Sequence, residues 1–179
     1  DWRLSPRQIQ IMPKIHWFAP LLLVLLGTSC IYKQPLVREN ALPVDPHFIG
    51  LWEEIPENEK TSNGDRMLVL KYSDTEYLVQ QDEELYYRGY PIKIGGLDCI
   101  QLQLIGSNKG DLATKKMKRF LVARATIEND HLEIRWLDKD LVDDDLESTK
   151  DLAKAFLKHK DNPKLFHEHA RFKRIKQEK

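Results

Sequence analysis

The chain of 179 residues has few cysteines, no net charge and no familiar enzyme motif. The sequence has two cysteines, Cys30 and Cys99, which is fewer than a disulfide-held secreted scaffold usually has. We therefore expect Cys99 to be a lone thiol. The 28 basic residues balance the 28 acidic ones, which argues against nucleic acid as a partner. A Gly-x-Ser-x-Gly elbow, a phosphate-binding glycine loop and a paired-cysteine metal motif are all missing from the sequence. We therefore expect a protein that is not an enzyme and that needs no cofactor.

The apolar run near the amino terminus is the clearest signal in the sequence. It reads WFAPLLLVLL over Trp17–Leu26, follows Lys14, and is succeeded by the small residues Gly27–Ser29. A basic start, a short apolar core and a small-residue exit are typical of a secretory signal peptide. The run therefore predicts export from the cytoplasm, with a natural start at Met12.

The tetrapeptide Gly27–Cys30 resembles the lipobox of bacterial lipoproteins, in which small residues precede the cysteine that begins the mature chain. Gly27 stands where that family prefers Leu. The resemblance implies that the Cys30 sulfur takes a diacylglyceryl group and its amine a further acyl chain, which together anchor a protein on a bilayer. In a Gram-negative host it also implies an outer-membrane position facing the periplasm, because Ile31 follows the cysteine where a retention signal would have Asp.

Two other interpretations of the apolar run stay open at this point. One is a signal peptide that is cleaved without lipidation, and the other is an uncleaved anchor helix over Ile15–Tyr32. A membrane span needs about twenty apolar residues, and Pro20 together with Gly27–Ser29 weakens this stretch.

Beyond the apolar run, short segments with alternating apolar and polar residues dominate, and such alternation predicts strands with one buried face. Ser148, followed three residues later by Asp151, is a helix N-cap pattern, and Pro163 limits the helix that follows. The predicted strand segments are Met67–Tyr72, Glu76–Gln80, Leu85–Ile94, Cys99–Ile105, Phe120–Glu128 and His131–Leu137. We expect a mainly β, α+β fold with a C-terminal helix, built as an antiparallel meander that forms an up-and-down barrel or a strongly curved sheet.

The prolines between Tyr32 and His47 favour an extended tether before this domain. The predicted organisation begins with a signal peptide over 1–29, of which 1–11 precede the natural start, and a lipidated cysteine and tether over 30–47. A single β-rich domain follows over 48–175, with a helix at about 149–160, and a basic tail covers 176–179.

In three strands one apolar face is assigned to the core: Ile100, Leu102 and Leu104; Leu121, Ala123, Ala125 and Ile127; and Leu132, Ile134 and Trp136.

Gly50, Leu51 and Trp52 resemble the Gly-x-Trp start of lipocalins, a family of up-and-down barrels. Arg171 or Arg174 lies near the end of the chain, where lipocalins place an arginine over that tryptophan. The resemblance implies a lipocalin-like barrel. The candidate ligand-binding or structural residues are Trp52, Tyr86, Tyr90, Trp136, Arg171 and Arg174.

Other clusters have a functional and a structural interpretation. Tyr86, Tyr87, Arg88 and Tyr90 form a surface that could stack on rings or sugars, although tyrosines are also common strand formers. The acidic run from Asp138 to Glu147 lacks the order of a calcium loop and is better interpreted as a solvated loop before a helix. The triplet His167–His169 lacks the spacing of a zinc site on a helix, so no metal site is predicted.

The function expected from these observations is that of a non-catalytic envelope lipoprotein, whose small β-domain is tethered to the membrane through lipid on Cys30 and binds a small ligand or a protein partner. The alternative is a structural or assembly factor of the cell envelope without a ligand pocket. Empty volume inside a barrel lined with apolar side chains would favour the first hypothesis, and a filled core with an exposed apolar patch would favour the second.

Overall fold

Eight antiparallel strands pair in sequence order, and the last strand returns to the first, so the sheet closes into a barrel. The computed structural model describes residues 31–39, 42–56 and 65–176, apart from the side chains of Glu168 and His169. The predicted signal peptide and Cys30 lie outside these residues. The strands are β1 (Gly50–Glu54), β2 (Arg66–Lys71), β3 (Tyr77–Gln81), β4 (Leu85–Ile94), β5 (Leu97–Ser107), β6 (Phe120–Glu128), β7 (His131–Leu137) and β8 (Phe166–Arg174). A 3-10 helix (Pro46–Phe48) precedes β1, and α1 (Thr149–His159) lies between β7 and β8. The expected mainly β fold with one late helix is confirmed, and the sheet is a closed barrel.

Tight turns at one end of the barrel set the register of its hairpins. Asn129 and Asp130 join β6 to β7 with φ angles of 50° and 63°, and Gly95 and Gly96 join β4 to β5 with φ angles of 58° and 86°. Two consecutive residues with positive φ give the turn whose twist matches that of paired strands. Asn, Asp and Gly tolerate this conformation better than other residues do, which is why these dipeptides mark the hairpins.

The barrel interior is filled by the apolar faces that the sequence assigned to the core. These inward side chains meet the inward residues of the other strands in one cluster, in which Trp52 is fully buried. Its buried members are Trp52, Met67, Val69, Tyr77, Val79, Tyr87, Leu121, Ala123, Leu132, Ile134 and Phe172. The predicted inward faces of β5, β6 and β7 are therefore confirmed.

A second core lies outside the barrel wall, where strand alternation alone predicts solvent. The capped helix α1 packs Leu152 and Phe156 against the outer faces of β4, β5 and β6, which supply apolar partners there. Ser148 accepts the Asp151 amide at 3.1 Å, as the N-cap pattern predicted. The buried members of this cluster are Tyr32, Leu36, Tyr90, Ile92, Cys99, Phe120, Val122, Leu137, Val142, Leu152, Phe156, Leu165 and Phe166. Both faces of β4–β6 are thus covered.

The segment after Cys30 differs from the expected tether, because its first residues belong to the second core. Tyr32 and Leu36 are each only 1% exposed. Tyr32 also pairs with the start of β6, since its amide donates to the Phe120 carbonyl at 2.6 Å and its carbonyl accepts the Phe120 amide at 3.0 Å. Two large apolar side chains and a free strand edge therefore hold residues 31–39 on the barrel, despite the prolines that suggested an extended linker.

Gln101 binds the same segment from the outer face of β5. Its Oε1 accepts the amides of Leu36 at 2.7 Å and Val37 at 3.1 Å, and its Nε2 donates to the Val37 carbonyl at 3.0 Å. Gln101 is only 2% exposed. All three hydrogen bonds satisfy backbone groups that would otherwise be buried without a partner, so this side chain couples the segment to the barrel.

Replacing Gln101 with Leu should release this segment. The substitution removes the partners of three backbone groups, and a buried polar group left without a partner costs about 1–3 kcal/mol. We expect the free energy of unfolding, measured by urea denaturation, to fall by about that amount, with faster hydrogen exchange at the Leu36 and Val37 amides. The matched control is Gln103→Leu on the same strand face, since Gln103 accepts only one side-chain hydrogen bond, from Tyr90 at 3.3 Å. Equal losses in both variants would contradict the proposed coupling.

Candidate functional site

The barrel interior contains little empty space. The cavity among its inward side chains measures about 50 Å³ and is lined wholly by apolar or aromatic side chains. A pocket of about 300 Å³ beside residues 42–48 also reaches Tyr77, Ile100 and Ala125, but it is lined in part by the exposed residues Asp45 and Asp98. Pockets for small ligands usually measure about 300–1,000 Å³ and enclose most of the ligand, and an engineered cavity of about 150 Å³ binds benzene. The lining residues are Phe48, Met67, Val69, Tyr77, Val79, Ile100, Leu102, Ala123, Ala125, Leu132, Ile134 and Trp136. Trp136, a candidate ligand contact in the sequence, is thus part of the packing that fills the barrel.

Trp52 and Arg174 form a closed unit at the start of β1. The indole Nε1 donates to the Phe48 carbonyl at 2.9 Å. The Arg174 guanidinium lies over the indole, 4.1 Å from the ring centroid, and donates to the carbonyls of Ile49 at 2.8 Å and His47 at 2.6 Å. Because Arg174 stacks on a ring and bridges backbone carbonyls, its role here is to join β8 to the segment before β1.

Arg171, the other arginine that the sequence offered for this position, lies elsewhere. It is exposed on β8, opposite Glu133 in the strand register, and lines a shallow depression near the β6–β7 turn. The structure therefore assigns the stacking position to Arg174.

The first position of β1, which Gly50 occupies, accepts only glycine without strain. Its φ of 149° lies in a region that L-residues rarely adopt, and a Cβ built there would lie 2.6 Å from Arg174 Nη1. Any side chain would compete with the guanidinium for this space. Gly50, Trp52 and Arg174 therefore form one packed unit, in which the glycine leaves space for the arginine that stacks on the tryptophan.

The tyrosines of β4 separate onto two faces. Tyr87 points into the barrel core, whereas Tyr90 joins the outer core and hydrogen-bonds Gln103. Burial raises the pKa of the Tyr90 hydroxyl. Tyr86 is half-buried, and its hydroxyl accepts a hydrogen bond from Gln80 at 3.1 Å. The four-residue cluster predicted from the sequence is thus divided, and its outer part is what a partner can reach.

Arg88 forms the centre of that outer part. Its guanidinium lies 5.5 Å from the ring centroids of both Tyr72 and Tyr90, and it is paired with Glu76. The hydrogen bonds that Arg88 donates to the Glu76 carboxylate raise the pKa of Arg88. Tyr72 is 64% exposed, which makes it the accessible edge of this stacked group. We call Tyr72, Glu76, Arg88 and Tyr90 the stacked cluster.

A cleft of about 620 Å³ adjoins the stacked cluster, between residues 33–38 and the outer faces of β4 and β5. Four of its lining residues are cationic and one is acidic, so it has a positive balance. The lining residues are Lys33, Gln34, Pro35, Val37, Arg38, Glu76, Tyr90, Gln101, Gln103, Lys115, Arg119 and Phe120. Sequence reasoning missed this cleft because it placed residues 33–38 in a free tether. The apolar spacing of Tyr32, Leu36 and Val37 was the available signal.

The carboxylates of the acidic run before α1 form ion pairs with lysines of the same chain. The carboxylates of Asp143, Asp144 and Asp145 offer ligand atoms within 4.8 Å of one another. However, Lys118 lies 2.9 Å from Asp144 and 3.1 Å from Asp145, and Lys33 lies 3.5 Å from Asp145. The hydrogen bond from Lys118 lowers the pKa of Asp145. The run therefore helps to hold the N-terminal segment and the start of β6, as a structural loop does.

Two other candidates offer no reactive group. Cys99 is 4% exposed, and burial raises the pKa of its thiol to about 12. A thiol that stays protonated at neutral pH is a poor nucleophile. His167 lies 3.5 Å from the Asp138 carboxylate, which is an ordinary contact between neighbouring polar side chains.

The closed barrel, the Gly-x-Trp start of β1 and the arginine stacked on that tryptophan together resemble the lipocalin architecture. Comparisons with protein-family models, curated proteins and solved structures found no match. The resemblance is therefore one of fold, and the function must be argued from the residues themselves. Among residues 31–39, 42–56 and 65–176, no helix combines the length and apolar character needed to cross a bilayer.

Replacing Arg174 with Lys should weaken closure of the barrel. A lysine cannot keep both carbonyl hydrogen bonds while lying flat on the indole, so we expect the free energy of unfolding to fall by about 1–3 kcal/mol. Urea denaturation followed by tryptophan fluorescence measures this loss. Arg171→Lys is the matched control and should change stability by less than about 0.5 kcal/mol, as exposed substitutions usually do. A smaller loss for Arg174→Lys than for Arg171→Lys would refute the structural role of the stacked pair.

Proposed function

We propose that this protein is a non-catalytic lipoprotein of the bacterial cell envelope that is anchored through Cys30 and binds a protein partner on the outer surface of its barrel. The observation that carries this proposal is the filled interior, with a cavity of only about 50 Å³. A small-molecule carrier needs several times that volume. Of the two functions expected from the sequence, the filled barrel favours a docking or assembly factor without a ligand pocket.

The anchor is supported by the sequence. A basic start, the apolar run Trp17–Leu26 and the small residues before Cys30 have the order of a lipoprotein signal. Two or more acyl chains on one residue give stable attachment, whereas one chain gives reversible attachment. In a Gram-negative host the protein would lie on the outer membrane and face the periplasm.

The outer surface offers chemistry suited to a protein partner. Tyrosine and arginine are enriched among residues that dominate binding energy at interfaces. The stacked cluster presents Tyr72 and Arg88 beside a cleft whose cationic residues include Arg38 and Arg119. A partner segment that combines carboxylates with an aromatic or apolar residue would match this surface.

The non-catalytic part of the proposal is supported by the state of three candidate reactive groups among the described residues. The Cys99 thiol is buried and its pKa is raised to about 12, and Asp144 and Asp145 are paired with lysines. General acid–base or nucleophilic catalysis would need such groups to be accessible and poised near the working pH.

Replacing Cys30 with Ser should abolish lipidation and processing. The full chain, expressed in a bacterium that processes lipoproteins, should incorporate labelled palmitate and remain in the membrane fraction. Cys30→Ser should incorporate no palmitate and should keep its signal peptide by intact-mass analysis. The matched control is Cys99→Ser, because Cys99 is the only other cysteine and is buried. Equal palmitate labelling in wild type and Cys30→Ser would exclude the anchor.

The filled interior predicts that long-chain fatty acids do not stabilise the protein. A ligand that binds only the folded state raises the free energy of unfolding by RT ln(1 + L/Kd), where L is the free ligand concentration, and so raises the melting temperature once its concentration exceeds its Kd. We therefore expect no change in Tm when palmitic acid or retinol is added to the purified lipoprotein in detergent. Retinol-binding and fatty-acid-binding barrels provide positive controls. A saturable increase in Tm at one ligand per chain would favour a carrier instead of a docking protein.

A further inference from the structure

The residues next to Cys30 are held at the start of β6. The Arg119 and Phe120 amides both donate to the Tyr32 carbonyl, at 2.9 Å and 3.0 Å. Only Ile31 separates Tyr32 from Cys30 in the sequence, and two residues reach at most about 7 Å. A lipid on Cys30 therefore attaches the protein to a bilayer close to the loop that ends at Arg119.

That loop, Asn108–Arg119, exposes apolar side chains among basic ones. Leu112 is 75% exposed and Met117 is 48% exposed. Lys109, Lys115 and Lys116 are exposed as well, and the sequence of the loop contains one acidic residue, Asp111. We call Leu112, Lys115, Lys116 and Met117 the apolar–basic patch.

The loop holds a defined path that keeps Leu112 outward. Leu112 forms a bridge to Gly106, and the Ala113 amide donates to the Ile105 carbonyl at 2.8 Å. Gly106 permits this close return, because a Cβ there would lie 2.3 Å from the Asp111 carbonyl oxygen. The exposure of Leu112 is therefore a property of the hydrogen-bonded loop.

The loop begins beside the acidic β3–β4 turn, because the Asn108 amide donates to the Glu84 carbonyl and the Asn108 side-chain amide donates to the Glu83 carbonyl, each at 2.8 Å. Gly106 of β5 pairs with Tyr86 of β4 on one edge of the strand and with Leu112 of the loop on the other edge. Leu112 thus lies across β5 from β4, whereas the start of the same loop contacts the turn that carries Asp82, Glu83 and Glu84. Lys118, the remaining lysine of the loop, is paired with Asp144 and Asp145, and Lys33 is paired with Asp145 and Glu147, so part of the charge of the acidic run is balanced within the chain.

We propose that the apolar–basic patch contacts the surface of a bilayer containing anionic phospholipid. Leu112 and Met117 enter the boundary between headgroups and acyl chains, while Lys115 and Lys116 extend their ammonium groups to lipid phosphates. This inference rests on the proposed anchor at Cys30, because the anchor brings the loop to the membrane. It adds an orientation, in which the β5–β6 loop faces the bilayer and the opposite end of the barrel, with the β4–β5 turn, faces away.

The orientation can be tested with the lipidated full chain in vesicles. Met117→Cys carries an environment-sensitive fluorophore, and the vesicles contain phosphatidylcholine, phosphatidylglycerol and a nitroxide-labelled lipid that quenches nearby dyes. The matched control is Leu157→Cys. Leu157 is 44% exposed and lies beside Gly95 of the β4–β5 turn. Cys99 does not compete for the dye, because it is buried and its thiol pKa is about 12.

We expect severalfold stronger quenching of the dye at position 117 than of the dye at position 157. The double substitution Lys115→Glu and Lys116→Glu, or vesicles without phosphatidylglycerol, should reduce quenching at position 117 while vesicle flotation is unchanged. A Leu112→Cys label should reproduce the result at a second position of the same patch.

The outcomes separate the two proposals. If the protein floats with vesicles but positions 117 and 157 are quenched equally, the orientation is wrong and the anchor stands. If the wild-type protein does not float, the anchor fails and the orientation fails with it. If the dye at position 117 is shielded without nitroxide-dependent quenching, the patch is covered by protein, and bilayer contact is excluded.

Discussion

The hydrogen bonds between Gln101 and the backbone of Leu36 and Val37 are the interaction on which the rest of the structure depends. They hold the segment that follows Cys30 against the barrel wall. That contact creates the cleft beside the stacked cluster, covers the outer face of β5, and brings the proposed lipid close to the β5–β6 loop. A buried amide can do this because it both donates and accepts, so it can satisfy an amide and a carbonyl of the same segment.

The apolar side chains are divided between two cores, one inside the barrel and one outside its wall. One core fills the barrel and leaves about 50 Å³, while the other packs α1 and the N-terminal segment on the outside. Because the inward space is used for stability, the surface remains for recognition. The Trp52–Arg174 pair serves the same end, since it joins the closing strand β8 to the residues before β1. Binding on the outside is therefore consistent with a barrel that is closed and packed.

The two membrane-related proposals depend on different parts of the chain. Lipid attachment is argued from the order of residues that ends at Cys30, whereas orientation is argued from the position of Tyr32 and the exposure of Leu112 and Met117. Together they describe a barrel with one end near the bilayer. The stacked cluster lies on its side wall, where a partner can approach without displacing lipid.

The sequence by itself determined the inward faces of β5, β6 and β7, the β4–β5 and β6–β7 turns and the capped helix, because alternation, the Asn129–Asp130 turn and the Ser148 cap act between near neighbours. It also indicated the tryptophan–arginine pair through resemblance, without deciding between Arg171 and Arg174. Only the tertiary structure decided which arginine stacks, how full the barrel is, and where residues 31–39 lie. The physical reason is distance along the chain. Gln101 and Leu36 are 65 positions apart, and the second core forms only when α1 and the N-terminal segment meet the same outer face of the sheet. No local pattern in a strand specifies that its polar face will be buried by elements so far away.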